Sequence, residues 1–437
     1  MKKSVRILTG TVCFLLLGIS WVVVANSKTT AEKQLILINE ATALMDNYIY
    51  IRAVPLLEEA AGYEAAYTSK AESELKRAYR ALIDNRGFSR RYIALLEKQM
   101  NRQNAEAHIF MEAANYYLSA SKLSEALEVL RKGIDRTGDV NIRNLYESSR
   151  YAFEINRVSY ENVTAIYKQT IQVQLDGMWG IADTDGTLII PCMYEKISTF
   201  ERGRAVVKTG NLIYAVDQDN NRIDVPDKVI SDFGNLAENR VPVLFEGNWR
   251  RATGEFEIGS SIFDSIGMFS GGYAAAKTGE RWGVTGISNN WLVQAEFDEV
   301  KQDELGRCYA QGAVFIRSGV NVFLFSNGAF LKDVYEDARP FSDEGYAAVK
   351  QNGKWGFIDT NGIVVIPFYF DDALSFGQHL AAVKIGEFWG YISRYGHVVI
   401  EATFLEAKSF SGGRAPVLTN RGWQIITLLE YSRGLSL

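Results

Sequence analysis

The sequence predicts an α + β protein of several domains: an N-terminal membrane segment, helical repeats and an all-β repeat domain. Three observations predict this order. An uncharged apolar run stands within residues 1–29, and apolar residues recur three and four positions apart over residues 30–168. Over residues 169–430, bulky residues recur at a nearly constant interval. Residues 431–437 remain as a short C-terminal tail.

The composition is that of a globular protein and excludes some kinds of site. Hydrophobic residues make up 47% of the 437 residues and charged residues 23%, so the chain can bury a large core. A formal net charge of −5 offers no broad basic surface, and we expect no nucleic-acid partner. Three cysteines and three histidines, none in a metal-binding spacing, predict no metal site.

The N-terminal apolar run predicts a membrane anchor. The run from Ile7 to Ala25 includes no charged residue and follows three basic ones. As a helix it would span roughly 28 Å, close to the thickness of a bilayer's hydrocarbon core. The basic residues favour a cytoplasmic N-terminus, so we expect a single-pass signal anchor with both repeat regions outside the cytoplasm. The alternative is secretion after cleavage of a signal peptide at Ala25, because 23–25 resembles a small-residue cleavage site.

Residues 30–168 show the spacing of paired helices. The clearest unit has interlocking large and small residues at Phe110, Ala114, Tyr117, Ala126, Leu130 and Gly133. A shift of about 34 residues places Tyr92 and Leu96 over Ala126 and Leu130, and a similar copy covers 37–60. These positions resemble the tetratricopeptide pattern. Arg80 departs from it, because a small residue is expected at that helix contact.

The tetratricopeptide resemblance leaves two functions open for the helices. It implies a groove that holds a peptide, whereas a helical stalk that binds nothing explains the same pattern. A further helix over 140–156, with Asp139 as its N-cap, is expected to cover the end of the array.

The C-terminal region repeats one bulky position along its length. The aligned residues are Trp179, Tyr214, Trp249, Trp282, Val322, Trp355, Trp389 and Trp423. Each follows the previous one after about 34 residues, apart from a longer step between Trp282 and Val322, and chance does not produce such regularity in a globular sequence. The repeat-defining residues are four Trp-Gly pairs: Trp179-Gly180, Trp282-Gly283, Trp355-Gly356 and Trp389-Gly390.

Each unit continues beyond its Trp-Gly pair in a recognisable way. The sequence 353–359 reads Gly-Lys-Trp-Gly-Phe-Ile-Asp, and a turn at 360–362 leads to Val365-Ile366-Pro367. A second motif, Phe-Ser followed by Gly and Ala, recurs at 269–274, 341–347 and 410–415. The pattern over 169–430 resembles the WG-repeat family. The resemblance implies small β-units that are stable only when stacked on one another.

The unit pattern indicates three short strands, with the tryptophan sealing one unit against the next. The glycine after it lacks a Cβ and lets a neighbouring ring or backbone approach closely. About seven such units are expected. They fit a propeller-like ring, which we prefer, or an open β-solenoid.

The sequence contains no recognisable catalytic or cofactor-binding motif. The turn Asp183-Thr184-Asp185-Gly186 has the acidic character of a calcium loop, but its counterpart at 359–362 keeps only one carboxylate and that at 393–396 has none, which favours an ordinary turn. Neither His379 nor His397 accompanies a nucleophile motif, and no phosphate-binding glycine loop occurs. We therefore expect no enzyme and no cofactor. A site assembled from the degenerate units 214–260 and 312–335 is the remaining enzymatic option.

These observations together predict a bacterial, membrane-tethered scaffold protein that binds a protein or peptide through its helical and β-repeats. The alternative is a module that recognises cell-wall polysaccharide, for which a row of exposed aromatic rings would be required.

Overall fold

The computed structural model describes residues 29–223 and 230–432. The chain divides into two compact units, Met1–Tyr146 and Glu147–Leu437. The predicted fold class needs correction in its first element: no helix in the described residues is long and apolar enough to cross a membrane. The run from Ile7 to Ala25 itself lies outside the described residues, as does 433–437 of the predicted tail.

The first unit is helical. Residues 29–46 form α1, and the helices that follow are α2 (Tyr50–Gly62), α3 (Thr68–Ala81), α4 (Phe88–Met100), α5 (Ala107–Ser119), α6 (Leu123–Thr137) and α7 (Val140–Arg150). From α2 to α6, each helix packs on the next one in the chain. Asp139 is confirmed as the N-cap of α7, because its Oδ1 accepts from the backbone N–H groups of Asn141 and Ile142. The helix ends at Arg150, not at Asn156 as the sequence predicts.

Small residues bring α5 and α6 together. Ala114 and Ala126 are fully buried, and a Cβ added to Gly133 would lie 2.9 Å from the Cβ of Phe110. In the preceding pair of helices a charge is buried instead. Glu72 of α3 has no exposed surface, and its carboxylate accepts hydrogen bonds from Gln99 at 3.0 Å and Arg102 at 2.6 Å.

The second unit contains eight antiparallel sheets in the described residues. Sheets 1 to 4 consist of β2 (Asn162–Val163), β3 (Thr170–Leu175), β4 (Met178–Asp183) and β5 (Leu188–Tyr194); β6 (Lys196–Ile197), β7 (Arg204–Thr209), β8 (Leu212–Asp217) and β9 (Arg222–Ile223); β10 (Ile230–Phe233), β11 (Arg240–Phe245) and β12 (Asn248–Thr253); and β13 (Ser265–Ile266), β14 (Tyr273–Thr278), β15 (Arg281–Gly286) and β16 (Trp291–Phe297).

Sheets 5 to 8 follow the same order of strands. They consist of β17 (Glu299–Val300), β18 (Ala313–Ser318), β19 (Asn321–Ser326) and β20 (Ala329–Tyr335); β21 (Asp337–Ala338), β22 (Tyr346–Gln351), β23 (Lys354–Asp359) and β24 (Val364–Phe370); β25 (Asp372–Ala373), β26 (Leu380–Ile385), β27 (Phe388–Ser393) and β28 (Val398–Phe404); and β29 (Glu406–Ala407), β30 (Arg414–Thr419), β31 (Gly422–Leu428) and β1 (Phe153–Ile155). A short helix, α8 (Leu429–Ser432), follows β31.

These sheets form an eight-bladed β-propeller, which corrects the predicted fold class in two respects. The ring has eight units and not about seven, and all but sheet 3 have four described strands and not three. The additional strand is the short one that opens each unit, such as β25, and only two residues of it pair with the next strand.

The ring closes through sheet 8, so the solenoid that the sequence leaves open is not the architecture. The strand β1, from the start of this unit, pairs with β31, and Phe153 lies opposite Leu428. Further along the same two segments of sheet 8, Tyr160 and Trp423 exchange both backbone hydrogen bonds, at 2.8 and 2.9 Å. The start of the ring thus supplies a strand to the last unit, and a core cluster that includes Val163 of sheet 1 and Trp423 of sheet 8 packs the first and last units together.

Each blade buries its apolar side chains against its neighbour. One core cluster contains Trp355, Phe357 and Phe370 of sheet 6, together with Phe376 and Val383 of sheet 7. The hairpin between β22 and β23 turns at Asn352-Gly353, with φ angles of 52° and 76°, as two-residue hairpins prefer. Local turn chemistry therefore shapes the unit, while burial depends on the neighbouring unit.

Candidate interaction surface

The tryptophans of the repeat pack between the blades. Trp355, Trp389 and Trp423 are buried, and Trp179 and Trp282 are half-buried. No tryptophan in the described residues is exposed. The ring therefore lacks, over these residues, the row of exposed tryptophans that polysaccharide stacking would use.

The glycine of each Trp-Gly pair lies under the fourth strand of its sheet. A Cβ added to Gly180, Gly283, Gly356 or Gly390 would lie 2.5–2.7 Å from a backbone oxygen of that strand. The strand register shifts at the same place, between Trp355 and Phe357 in sheet 6. The glycine thus allows a backbone to cross at close range where the strand bulges.

A second periodic residue, an acid, escapes the sequence reasoning. It follows the aromatic residue at the end of a fourth strand, and its carboxylate accepts from the N–H of a hairpin glycine in the next unit. The pairs are Glu161 with Gly177, Glu195 with Gly210, Asp264 with Gly279, Asp298 with Gly319, Glu336 with Gly353 and Asp371 with Gly386. The signal in the sequence is an aromatic-acid pair with nearly the spacing of the tryptophans.

In two places this acid also forms an ion pair with the preceding hairpin. Arg281 binds Asp298, and Lys354 Nζ lies 2.5 Å from Asp371 Oδ1. The strand register explains these contacts, because Trp282 pairs with Phe297 and Trp355 with Phe370, which places the next residues opposite each other.

One unit has apolar residues at the same positions. Trp389 pairs with Phe404, so Phe388 and Leu405 stand where Lys354 and Asp371 stand one unit earlier. Phe388 also lies directly opposite Ile385 across its hairpin. Ile385, Phe388 and Leu405 are 43%, 41% and 45% exposed, and we call these three residues the apolar row. The row is the candidate interaction surface of the ring.

A loop of sheet 5 reaches across the middle of the ring. The longest interval of the repeat, between Trp282 and Val322, includes the segment 301–312, which joins β17 to β18. In this loop Leu305 is 3% exposed and packs with Tyr167, Ala237 and Met268, which follow the first strands of sheets 1, 3 and 4. Lys408 of sheet 8 binds Glu304 at 2.6 Å. The loop thus contacts sheets on several sides of the ring.

Two of the residues weighed for chemistry, Asp183 and His379, make structural contacts. Asp183 is confirmed as a turn residue, since its Oδ1 accepts from the backbone N–H groups of Asp185 and Thr187. Nδ1 of His379 lies 2.8 Å from Glu344 Oε2 of the preceding unit, whereas His397 is exposed on a turn. Among the described residues, no three His, Cys, Asp or Glu side chains converge as a metal site would require.

Comparisons with known proteins identify the repeat. Five segments match the family described as WG containing repeat, at 179–212, 260–282, 334–355, 355–387 and 389–423. Three of them begin at Trp179, Trp355 and Trp389, the tryptophans of the predicted pairs. No curated protein matches the chain.

Solved structures similar to this chain include Hsv2 of Kluyvelomyces marxianus, with 11% identity and a TM-score of 0.34 over 60% of this chain and 97% of that chain. The Pan2 WD40 domain of Neurospora crassa has 11% identity and a TM-score of 0.30, over 63% and 88%. Regucalcin of Agrobacterium tumefaciens, a calcium-binding protein, has 9% identity and a TM-score of 0.27, over 63% and 93%. Likenesses this distant carry no argument about function.

Proposed function

The chain is a WG-repeat protein, and on that premise we propose that it is a non-catalytic binding protein whose propeller docks a protein or peptide. WG repeats and a β-propeller fit a protein-interaction module. The observation that carries the finer proposal is the apolar row. Partner proteins cover apolar and aromatic side chains at the centre of their interfaces, and a ring such as Phe388 is a frequent anchor.

The fold does not require apolar residues at this place. Sheet 6 has the same strand register with Lys354 and Asp371 in the corresponding positions, and these charged residues stabilise it by an ion pair and a hairpin hydrogen bond. An exposed apolar row costs solubility without helping the hairpin. Among the described units with this register, one has apolar residues at both positions and the others do not. This difference supports a role in binding.

The test exchanges the apolar row for the residues of its neighbour. Phe388→Lys combined with Leu405→Asp installs the Lys354–Asp371 pair one unit later, in the full-length chain. The matched control is Arg281→Ala, which removes a charge from another hairpin at an equivalent position. Proteins crosslinked to the chain in its native cells are purified and compared between the variants, after circular dichroism has verified the fold of each.

We expect at least one partner to be recovered with the unaltered chain and with Arg281→Ala, and to be lost with the double variant. Removing an interface anchor costs about 2 kcal/mol or more, which is roughly thirtyfold in affinity. Recovery of the same partners in the same amounts by the double variant would refute the proposal.

The location that we propose for this binding is the outer face of the cell membrane. It is supported by the sequence alone, through the basic residues and the apolar run ahead of residue 26. Protease added to intact spheroplasts should degrade the ring, and carbonate should leave the chain in the membrane pellet. Protection from protease would exclude this location, and release by carbonate would instead favour cleavage of the signal.

A further inference from the structure

A cleft in the helical unit offers a second site, distinct from the apolar row. It lies between α3, α4 and α5, and its volume of about 470 Å³ falls within the range of small-molecule sites. Among the side chains that line it are Arg80, Asp84, Tyr92, Glu112 and Tyr116. Two of these residues, Arg80 and Asp84, carry opposite charges, and both line the cleft.

The cleft arises where the middle helices depart from the repeat. Arg80 and Tyr92 occupy the positions that Ala114 and Ala126 occupy one repeat later. The two alanines are fully buried between α5 and α6, and two large residues cannot replace them at the same distance. The Arg80 side chain is instead 63% exposed, with its guanidinium 5.9 Å from the centre of the Tyr92 ring. The substitution that weakens the tetratricopeptide pattern thus opens a space.

Arg80 is held in place by a small network at the base of the cleft. Its Nε donates to the Tyr92 hydroxyl at 3.0 Å, and Nη2 lies 3.4 Å from Glu112 Oε1. Glu112 also accepts from Tyr92 at 2.8 Å and from Lys76 at 2.6 Å. Burial would raise the pKa of Glu112, but the hydrogen bonds from Lys76 and Tyr92 outweigh it and lower the pKa. The carboxylate is therefore charged.

The charges of this network leave a cation available to a ligand. Lys76 compensates Glu112, and the Arg80 guanidinium is additional. An oriented guanidinium binds carboxylates by two parallel hydrogen bonds. Asp84 lies four residues further on, exposed and on the same cleft. The half-buried ring of Tyr116 provides an apolar wall between the polar groups, and the buried Tyr92 ring supports it from behind, 5.5 Å away.

We infer that this cleft binds a small zwitterion, a free amino acid or a dipeptide, with its carboxylate on Arg80 and its ammonium on Asp84. The side chain of the ligand packs on Tyr116. This site does not depend on the proposed docking of a protein on the ring, and either can fail without the other.

The test measures binding to the full-length chain by isothermal titration calorimetry at low ionic strength. The probes are the twenty protein amino acids and the twenty dipeptides Gly-X. Each probe that binds is measured again as its C-terminal amide and as its N-acetyl derivative. The variants are Arg80→Gln and Asp84→Asn. The matched control is Arg90→Gln, which removes an exposed arginine of α4 from outside the cleft.

At least one probe should bind saturably. Both of its derivatives should bind at least about tenfold more weakly, since each loses one charged contact. Arg80→Gln should weaken binding of the probe with a free carboxylate and leave binding of its C-terminal amide little changed. A merely structural role of Arg80 would not separate the two. Arg90→Gln should bind as the unaltered chain does. The inference is overturned if no probe binds, if acid and amide bind equally, or if Arg80→Gln binds like the control.

Discussion

The buried leucine of the loop 301–312 leads to a quantitative prediction about the stability of the ring. Leu305→Ala should lower the free energy of unfolding of the ring by about 3 kcal/mol. The side chain is 3% exposed, and the substitution removes three carbon atoms from it. Each buried methylene contributes about 0.8 kcal/mol, and the cavity left between Tyr167, Ala237 and Met268 adds to the loss.

Tryptophan fluorescence during urea unfolding measures this effect, because every tryptophan of the described residues lies in the ring. Leu305→Ala should shift the midpoint and leave the slope unchanged. Leu212→Ala is the matched control, since that leucine is 56% exposed at a hairpin and its loss should change the stability by less than about 0.5 kcal/mol. If the two variants unfold alike, the loop does not stabilise the ring, and the contacts described for Leu305 have no energetic weight.

Two further predictions concern a glycine and a buried acid. Gly356→Ala should destabilise the ring by about 2 kcal/mol or more in the same urea assay, because its Cβ would lie 2.7 Å from the oxygen of Ile366. Gly353→Ala, with φ of 76° but no atom within 4 Å, should cost only about 1 kcal/mol, and an equal loss in both would contradict the close-crossing explanation. For Glu72, burial raises the pKa, but hydrogen bonds from Arg102 and Gln99 outweigh it and leave the pKa below its ordinary value near 4.5. Its stabilising effect is therefore present above that value and is lost as the pH falls through the lowered one. Helical circular dichroism of Glu72→Gln should show a weaker acid dependence than the unaltered chain, and an identical dependence would exclude this origin.

The spacing of the tryptophans predicts the repeat and its family because a ring at each blade contact has to recur with the blade. The number of units is harder to predict from the sequence. The unit at Trp423 looks truncated in the sequence, but its fourth strand is Phe153–Ile155, far earlier in the chain. No tryptophan marks that segment, and local periodicity instead extends the helix of Val140 through it. A strand borrowed over such a distance leaves no local signal.

The number of strands fails for a different reason. The first strand of a sheet pairs through only two residues, as Asp372 and Ala373 do, and two residues show no alternation. The acids that bond the hairpins do have a period, but a carboxylate beside an aromatic residue looks like an ordinary surface residue. Only the N–H of Gly386 near Asp371 reveals its role.

The candidate sites are departures from a pattern, and the sequence identifies departures without indicating their use. Arg80 is recognisable as a misfit among small residues, and only the structure shows that the misfit opens a cleft. Phe388 and Leu405 are not recognisable at all, because they stand apart in the sequence and their significance comes from Lys354 and Asp371 of the preceding unit.

The pairing of β1 with β31 has a consequence for biosynthesis. The last blade can form only when residue 428 has been synthesised, because residue 153 pairs with it. Nearly the whole ring must therefore leave the ribosome before closure. From the emergence of β31 until it pairs with β1, β31 presents an unpaired edge, which is open to pairing with other chains. Contacts between residues so distant in sequence also form slowly. Chaperone dependence and aggregation during overexpression should therefore concentrate on this final step, and transferring the strand 153–155 to a position directly after β31 should relieve both.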